Sequence, residues 1–137
     1  MKSREMAEDY AYRARRCLRE AELAYSEQDY PGVIRRAQES IELAAKALLR
    51  LHGIEYPRVH DVGDALKRLE NKVSKELAIN LPDIIELLSN LSKLRGPAFY
   101  GYEREGIPAR RAFSKEFAEE TLRKVEKLVS LCLREIK

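Results

Sequence analysis

The chain has 137 residues, 45% of them hydrophobic and 36% charged, with few glycines and prolines and a net charge of +3. That is enough chain for one domain with a real core and too apolar for disorder, while acids and bases so evenly mixed neither demand nor exclude a nucleic-acid partner. No apolar run approaches the roughly 20 residues needed to span a bilayer, and the charged start Met1-Lys2-Ser3-Arg4-Glu5 lacks a signal-peptide core, so a cytoplasmic location is expected.

Ala7, Ala11, Ala14, Leu18, Ala21 and Tyr25 recur at spacings of four and three, one face of a first helix. Ser3 is its expected N-cap, and it should stop near Gln28 or Asp29, ahead of Pro31 and Gly32. Ile34, Ala37, Ile41, Ala44, Leu48 and Leu51 mark a second helix, which ends at Gly53. The join is short, so the two helices should pack antiparallel, and alanines on the facing sides allow their axes to come close. Residues Ile54 to Val59 read as a loop. Asp61 is the expected cap of a short helix carrying Val62, Leu66 and Leu69.

Asn71 to Leu81 is less regular, with room for a helical turn or two. Pro82 and Asp83 are predicted to open the next helix, which carries Ile84, Leu88 and Leu91 and continues to Leu94 or Arg95. Residues 101–113, with Gly101, Gly106 and Pro108, read as an exposed loop. Ser114 caps the last helix, whose face of Phe117, Thr121, Val125, Leu128 and Cys132 is widened by Ala118, Leu122, Val129, Leu133 and Ile136. So broad a stripe implies burial against several neighbours, a second subunit being one candidate. No segment alternates with period two between hairpin turns, and no repeat is evident. The expected fold is all-α: a single domain over residues 1–137, an up-and-down antiparallel bundle of four to five helices.

The segment Arg95-Gly96-Pro97-Ala98-Phe99-Tyr100-Gly101-Tyr102 stands apart. It joins one cation and three aromatics to two glycines and a proline, and is predicted to break the helix. An aromatic-rich break between packed helices is a place for a binding or catalytic group. Other chemistries are missing. There is no Gly-rich phosphate loop of either common type and no Gly-x-Ser-x-Gly elbow. Two separated cysteines, Cys17 and Cys132, and two histidines, His52 and His60, give no metal-ligand spacing, so neither metal nor cofactor is expected. Both cysteines fall on apolar helix faces and read as buried free thiols. Abundant Glu, Lys and Arg beside few Gln and Asn is a thermophile-like composition.

The second helix, from Ala37-Gln38-Glu39-Ser40-Ile41-Glu42-Leu43-Ala44-Ala45-Lys46 to Leu51-His52-Gly53, is followed by His60-Asp61-Val62, the Arg95–Tyr102 segment and a long final helix. In this combination the chain resembles a HEPN domain (higher eukaryotes and prokaryotes nucleotide-binding) from about Glu5 to Ile136. The resemblance implies a helical bundle that commonly forms homodimers. Many members are metal-independent ribonucleases, often toxins or defence effectors; others work beside a separately encoded minimal nucleotidyltransferase, as in toxin–antitoxin pairs. The recurring motif is Arg-x4–6-His, and a subgroup of the two-gene systems carries Arg-x4-His-x-Tyr. Here those positions hold Arg95, Tyr100 and Tyr102: the spacing matches and the histidine is a tyrosine.

That replacement changes the chemistry. Cleavage of RNA by this route deprotonates a 2′-hydroxyl and protonates the leaving oxygen. An imidazole with an ordinary pKa of about 6.5 suits both transfers, and a phenol at about 10 does not. Arg95 still offers a planar fork for phosphate, and Tyr100 and Phe99 can stack on a base. Binding of nucleotide or RNA is therefore favoured over cleavage, with Arg95, Tyr100, Tyr102 and Arg104 as binding residues. Arg95 and Tyr100 form the catalytic pair if the protein cleaves at all. By the same resemblance, Tyr102 is a candidate acceptor for nucleotidyl transfer from the partner enzyme. The alternatives are a ribonuclease toxin that tolerates the tyrosine, and a non-catalytic helical adaptor.

Each of these residues also has a purely structural explanation. Arg95 suits a helix C-terminus, and Phe99 and Tyr100 would close the end of the core. Lys46 and Glu42 would form a surface ion pair, His60 would anchor its loop, and Arg104, Arg110 and Arg111 would be solvated.

Overall fold

Alanine governs how the first two helices meet. In the computed structural model, which describes residues 3–56 and 62–136, α1 (Arg4–Ser26) and α2 (Tyr30–His52) form an antiparallel hairpin. Ala7, Ala11, Ala14 and Ala21 of α1 and Ala37, Ala44, Ala45 and Ala47 of α2 are all buried, and side chains that short let the axes approach. Ser3 N–H donates to the Arg50 carbonyl at 2.9 Å, tying the start of α1 to the end of α2. Between the helices the buried Ser40 Oγ donates to Ala14 O at 2.8 Å. Ser3 caps α1 as expected, its hydroxyl accepting from Met6 N–H. Asp29 caps α2 by accepting from Gly32 N–H at 3.0 Å, and a Cβ on Gly32 would run into that carboxylate. Pro31 sits in the first turn of α2, where its missing N–H has no helical partner to lose. Gly53, at φ 67°, closes the helix where the sequence placed its end.

A short α3 (Val62–Lys67) follows. The cap expected at Asp61 and the loop role expected of His60 lie outside the described residues. The next helix departs most from the sequence reading. α4 runs from Lys75 to Tyr100, capped by Ser74, whose hydroxyl accepts from Leu77 N–H. It therefore begins seven residues before Pro82, and it continues through Gly96 and Pro97, so the expected break in the Arg95–Tyr102 segment does not occur. Burial is the physical reason. Leu77, Leu81, Ile84, Leu87, Leu91 and Ala98 lie in the core along one side of the helix. An interior proline costs about 3 kcal/mol. Continuing the helix past it buries Ala98 and keeps Leu94 packed against the core. The helix ends at Gly101, whose N–H donates to Pro97 O at 2.7 Å.

The stretch from 101 to 113 is more ordered than a loop. Tyr102 and Ile107 exchange backbone hydrogen bonds at 2.8 and 3.0 Å around a 3-10 turn at Glu103–Glu105. A single-turn α5 (Ala109–Ala112) and a buried Phe113 lead into α6 (Lys115–Arg134), capped by Ser114. α6 packs against α1, α2 and α4 of its own chain. Its wide stripe, from Ala118 through Leu133, is buried there, so its breadth requires no second subunit. Only Phe117 at its start stays 39% exposed. The result is an all-helical bundle with α2 at its centre. Among the described residues there is no strand, and no helix is long and apolar enough to cross a membrane.

Candidate functional site

Because the Arg95–Tyr100 segment is helical, its residues are distributed around α4. At 3.6 residues per turn, Phe99 lies one turn beyond Arg95 on nearly the same side, whereas Tyr100 is rotated about 140° from Arg95. Arg95 faces a cleft of about 300 Å³ between α1, α2 and α4. Its neighbours there are Arg13, Arg16 and Cys17 of α1, and Arg36, Glu39, Glu42 and Leu43 of α2. Tyr100 and Tyr102 do not line this cleft.

Most charges in the cleft are already matched. Arg36 meets Glu39 at 2.9 Å, and that hydrogen bond holds the guanidinium above its ordinary pKa. Arg13 reaches Asp9 at 3.5 Å. Glu42 is held twice: it accepts from Gln38 Nε2 at 3.2 Å and lies 3.6 Å from Lys46 Nζ. The Lys46–Glu42 pair expected on the surface is thus half-buried and fixes a carboxylate in the cleft wall. Arg16 and Arg95 have no ion-pair partner among the described residues. Two uncommitted guanidiniums from different helices therefore face one space. Cys17 is half-buried rather than buried, and its thiol is pushed up from its ordinary pKa by burial, with Glu39 and Glu20 adding to the effect. It is no thiolate nucleophile at neutral pH. What the cleft offers chemically is cationic forks for an anion, with carboxylates beside them to accept from hydroxyl or amino groups.

Next to this cleft lies an aromatic platform. The Phe99 and Tyr100 rings stack with centroids 4.5 Å apart and planes 24° from parallel. Arg35 of α2 covers the Phe99 ring at 4.4 Å. Both rings are more than half exposed, Phe99 at 57% and Tyr100 at 64%, so they do not close the core as their position suggested; Phe113 and Ala98 fill that place. Tyr102 is 38% exposed on a backbone pinned by its bridge to Ile107, and Arg104 is exposed on the neighbouring turn, as are Arg110 and Arg111. The described residues include no group of three or more His, Cys, Asp or Glu gathered as a metal site would need.

Sequence reasoning missed Arg13, Arg16 and Arg36. The signal was present in Arg13-Ala14-Arg15-Arg16-Cys17-Leu18-Arg19, four arginines in seven residues with no acid. Its meaning depends on α1 and α4 being neighbours across α2, which no local pattern states.

No curated protein and no solved structure matches the chain. A model of the HEPN domain, however, matches residues 7–136, from the first turn of α1 to the second residue after α6. That span takes in the α1–α2 hairpin, the long α4 with Arg95 and the closing α6, and it places the chain in the HEPN domain family.

Proposed function

We propose that this HEPN-family protein binds a nucleotide or RNA through Arg95, cleaves RNA slowly or not at all, and works as a homodimer beside a minimal nucleotidyltransferase. The observation that supports binding is the cleft in which Arg95 and Arg16 stand without carboxylate partners. A guanidinium fork is suited to a phosphate oxygen pair, and the exposed Phe99–Tyr100 stack one turn away is suited to a base. The reason for weak cleavage is chemical. Tyr100 stands where the family motif has its histidine, and a phenol keeps its proton at neutral pH unless strongly assisted. Tyr102, accessible on its pinned backbone, is the candidate acceptor of a nucleotidyl group from the partner. Homodimerisation follows the habit of the family.

The test is a ribonuclease and binding assay on wild type, Arg95→Ala and Tyr100→His, with chelator present. Binding that falls on Arg95→Ala, with little wild-type cleavage, is the expected result. Tyr100→His restores the motif's residue types and is expected to raise cleavage only where a second copy brings that side chain to an Arg95, since within one chain Tyr100 lies outside the Arg95 cleft. Robust wild-type cleavage that disappears in Arg95→Ala would instead establish the ribonuclease toxin. Binding indifferent to Arg95→Ala would remove Arg95 from the site.

A further inference from the structure

We infer that the outer face of α1 is a second nucleic-acid contact surface, which carries a single-stranded RNA from the Arg95 cleft across the helix to the groove between α1 and α6. The inference rests on the RNA-binding reading of the Arg95 cleft and commits it to a polymeric ligand over a mononucleotide.

Between Asp9 and Glu20 the α1 sequence contains no acid and four arginines, Arg13, Arg15, Arg16 and Arg19. All four are exposed. At about 100° per residue they fall in the angular order Arg15, Arg19, Arg16, Arg13, a continuous arc of about 160°. The two ends of the arc reach different clefts. Arg13 and Arg16 line the cleft that holds Arg95. Arg15 and Arg19 line a groove of about 420 Å³ against α6, beside Glu22 and beside Arg134, which is paired with Glu76 at 3.1 Å. Arg15, Arg16 and Arg19 have no ion-pair partner among the described residues, although acids are plentiful elsewhere on α1. Surface helices ordinarily pair such charges at i,i+4; of these four arginines Arg13 does so, with Asp9 at 3.5 Å, whereas Arg16 makes no ion pair with Glu20, four residues on.

One aromatic belongs to the same face. Tyr12 is 52% exposed and projects between Arg19 and Arg16 in that angular order. A basic track interleaved with an exposed ring is the combination that holds single strands, with cations on phosphates and rings on unpaired bases. An acidic protein segment would use the charges and leave Tyr12 and the Phe99–Tyr100 stack unused, which is why the observations favour a strand with free bases.

The experiment measures binding of a short single-stranded uridine oligonucleotide and of uridine monophosphate across a salt series. The variants are Arg15→Ala/Arg19→Ala, Arg15→Gln/Arg19→Gln, Tyr12→Ala and Arg95→Ala. Each phosphate contact on a single strand contributes about 0.7 to the slope of log K against log salt. Losing two should lower the slope by about 1.4 and weaken the oligonucleotide on the order of 20-fold near 0.1 M salt, leaving the mononucleotide unchanged. Tyr12→Ala should weaken the oligonucleotide about fivefold or more, the low end for one stacked base. Arg95→Ala should weaken both ligands. Circular dichroism of wild-type strength in the Ala and Gln pairs shows the helix intact. Oligonucleotide affinity that survives both α1 pairs while still falling on Arg95→Ala overturns the α1 surface and leaves the Arg95 cleft standing. Mononucleotide and oligonucleotide affinity both indifferent to Arg95→Ala overturns the reading on which the inference depends. Competition by a polyglutamate peptide as strong as by the oligonucleotide, with Tyr12→Ala silent, overturns the choice of RNA.

Discussion

At Gly101 the backbone has φ 73° and ψ −162°, a region that side chains other than glycine's rarely tolerate. A Cβ there would also collide with the Ile107 carbonyl and sit 2.7 Å from Ala109 N. Gly101→Ala is therefore expected to destabilise the fold by at least about 2 kcal/mol in denaturant unfolding, and to disturb Tyr100 and Tyr102 on either side. A variant as stable as wild type would show that α4 does not end there. Cys132 makes a second prediction at this scale. Burial pushes its thiol up to about 12 from an ordinary value of 9.0. It stays protonated in the folded chain while the unfolded chain ionises above about pH 9, so the stability it contributes is complete below that value and is lost as pH rises toward 12. The loss should approach 1.4 kcal/mol for each pH unit. Cys132→Ala should flatten this part of the stability–pH curve; an unchanged slope would mean that the thiol is not buried. Individual residues were where the sequence was most legible. Ser3, Gly53 and Ser114 carry their signals in the local chain and act as caps where expected. Phe99 was misread, because whether a ring is covered depends on what lies opposite: Arg35 of α2 covers one of its faces while the ring stays mostly in solvent.

At the scale of elements, α1, α2 and α6 announced themselves by their apolar spacing, whereas α4 did so only between Pro82 and Arg95 and hid both its ends. Two prolines inside one helix argue locally for two boundaries. The face that keeps the helix whole, Leu77 to Ala98, is stabilised by contacts with α2, α3, α5 and α6 that a local reading does not contain. The Arg95–Tyr102 segment was expected to break the helix and instead continues it to Tyr100, and that difference turns Arg95 toward α1 and away from Tyr100. Pro97→Ala supplies a missing helical N–H and removes a ring clash with the preceding turn. It should raise stability by about 1 kcal/mol, or about 4 °C in Tm, after allowing for the greater freedom of the unfolded chain. A fall in Tm would mean that the helix is broken at Pro97 in solution.

The whole molecule shows which evidence for assembly survives. The broad stripe of α6 is consumed within one chain, so it no longer points to a partner. The surface rings that remain, among them Phe99, Tyr100 and Tyr102, are where a second copy would have apolar area to cover. Sedimentation at micromolar concentration is expected to give a dimer, and Tyr100→Ala is expected to shift it toward monomer; a wild-type monomer throughout would remove the dimer from the proposed function. The fold class and the family were legible because periodicity and motif spacing are written along the chain. The cleft was not, because it is assembled from three helices whose adjacency only the packed bundle defines.

The most direct test of the central claim is the affinity of wild type and Arg95→Ala for a single-stranded oligonucleotide, measured across a salt series. Wild-type affinity should fall linearly in log K against log salt. Arg95→Ala should bind more weakly, with its slope lower by about 0.7, the share of one phosphate contact. Identical affinities and identical slopes for the two proteins would contradict it.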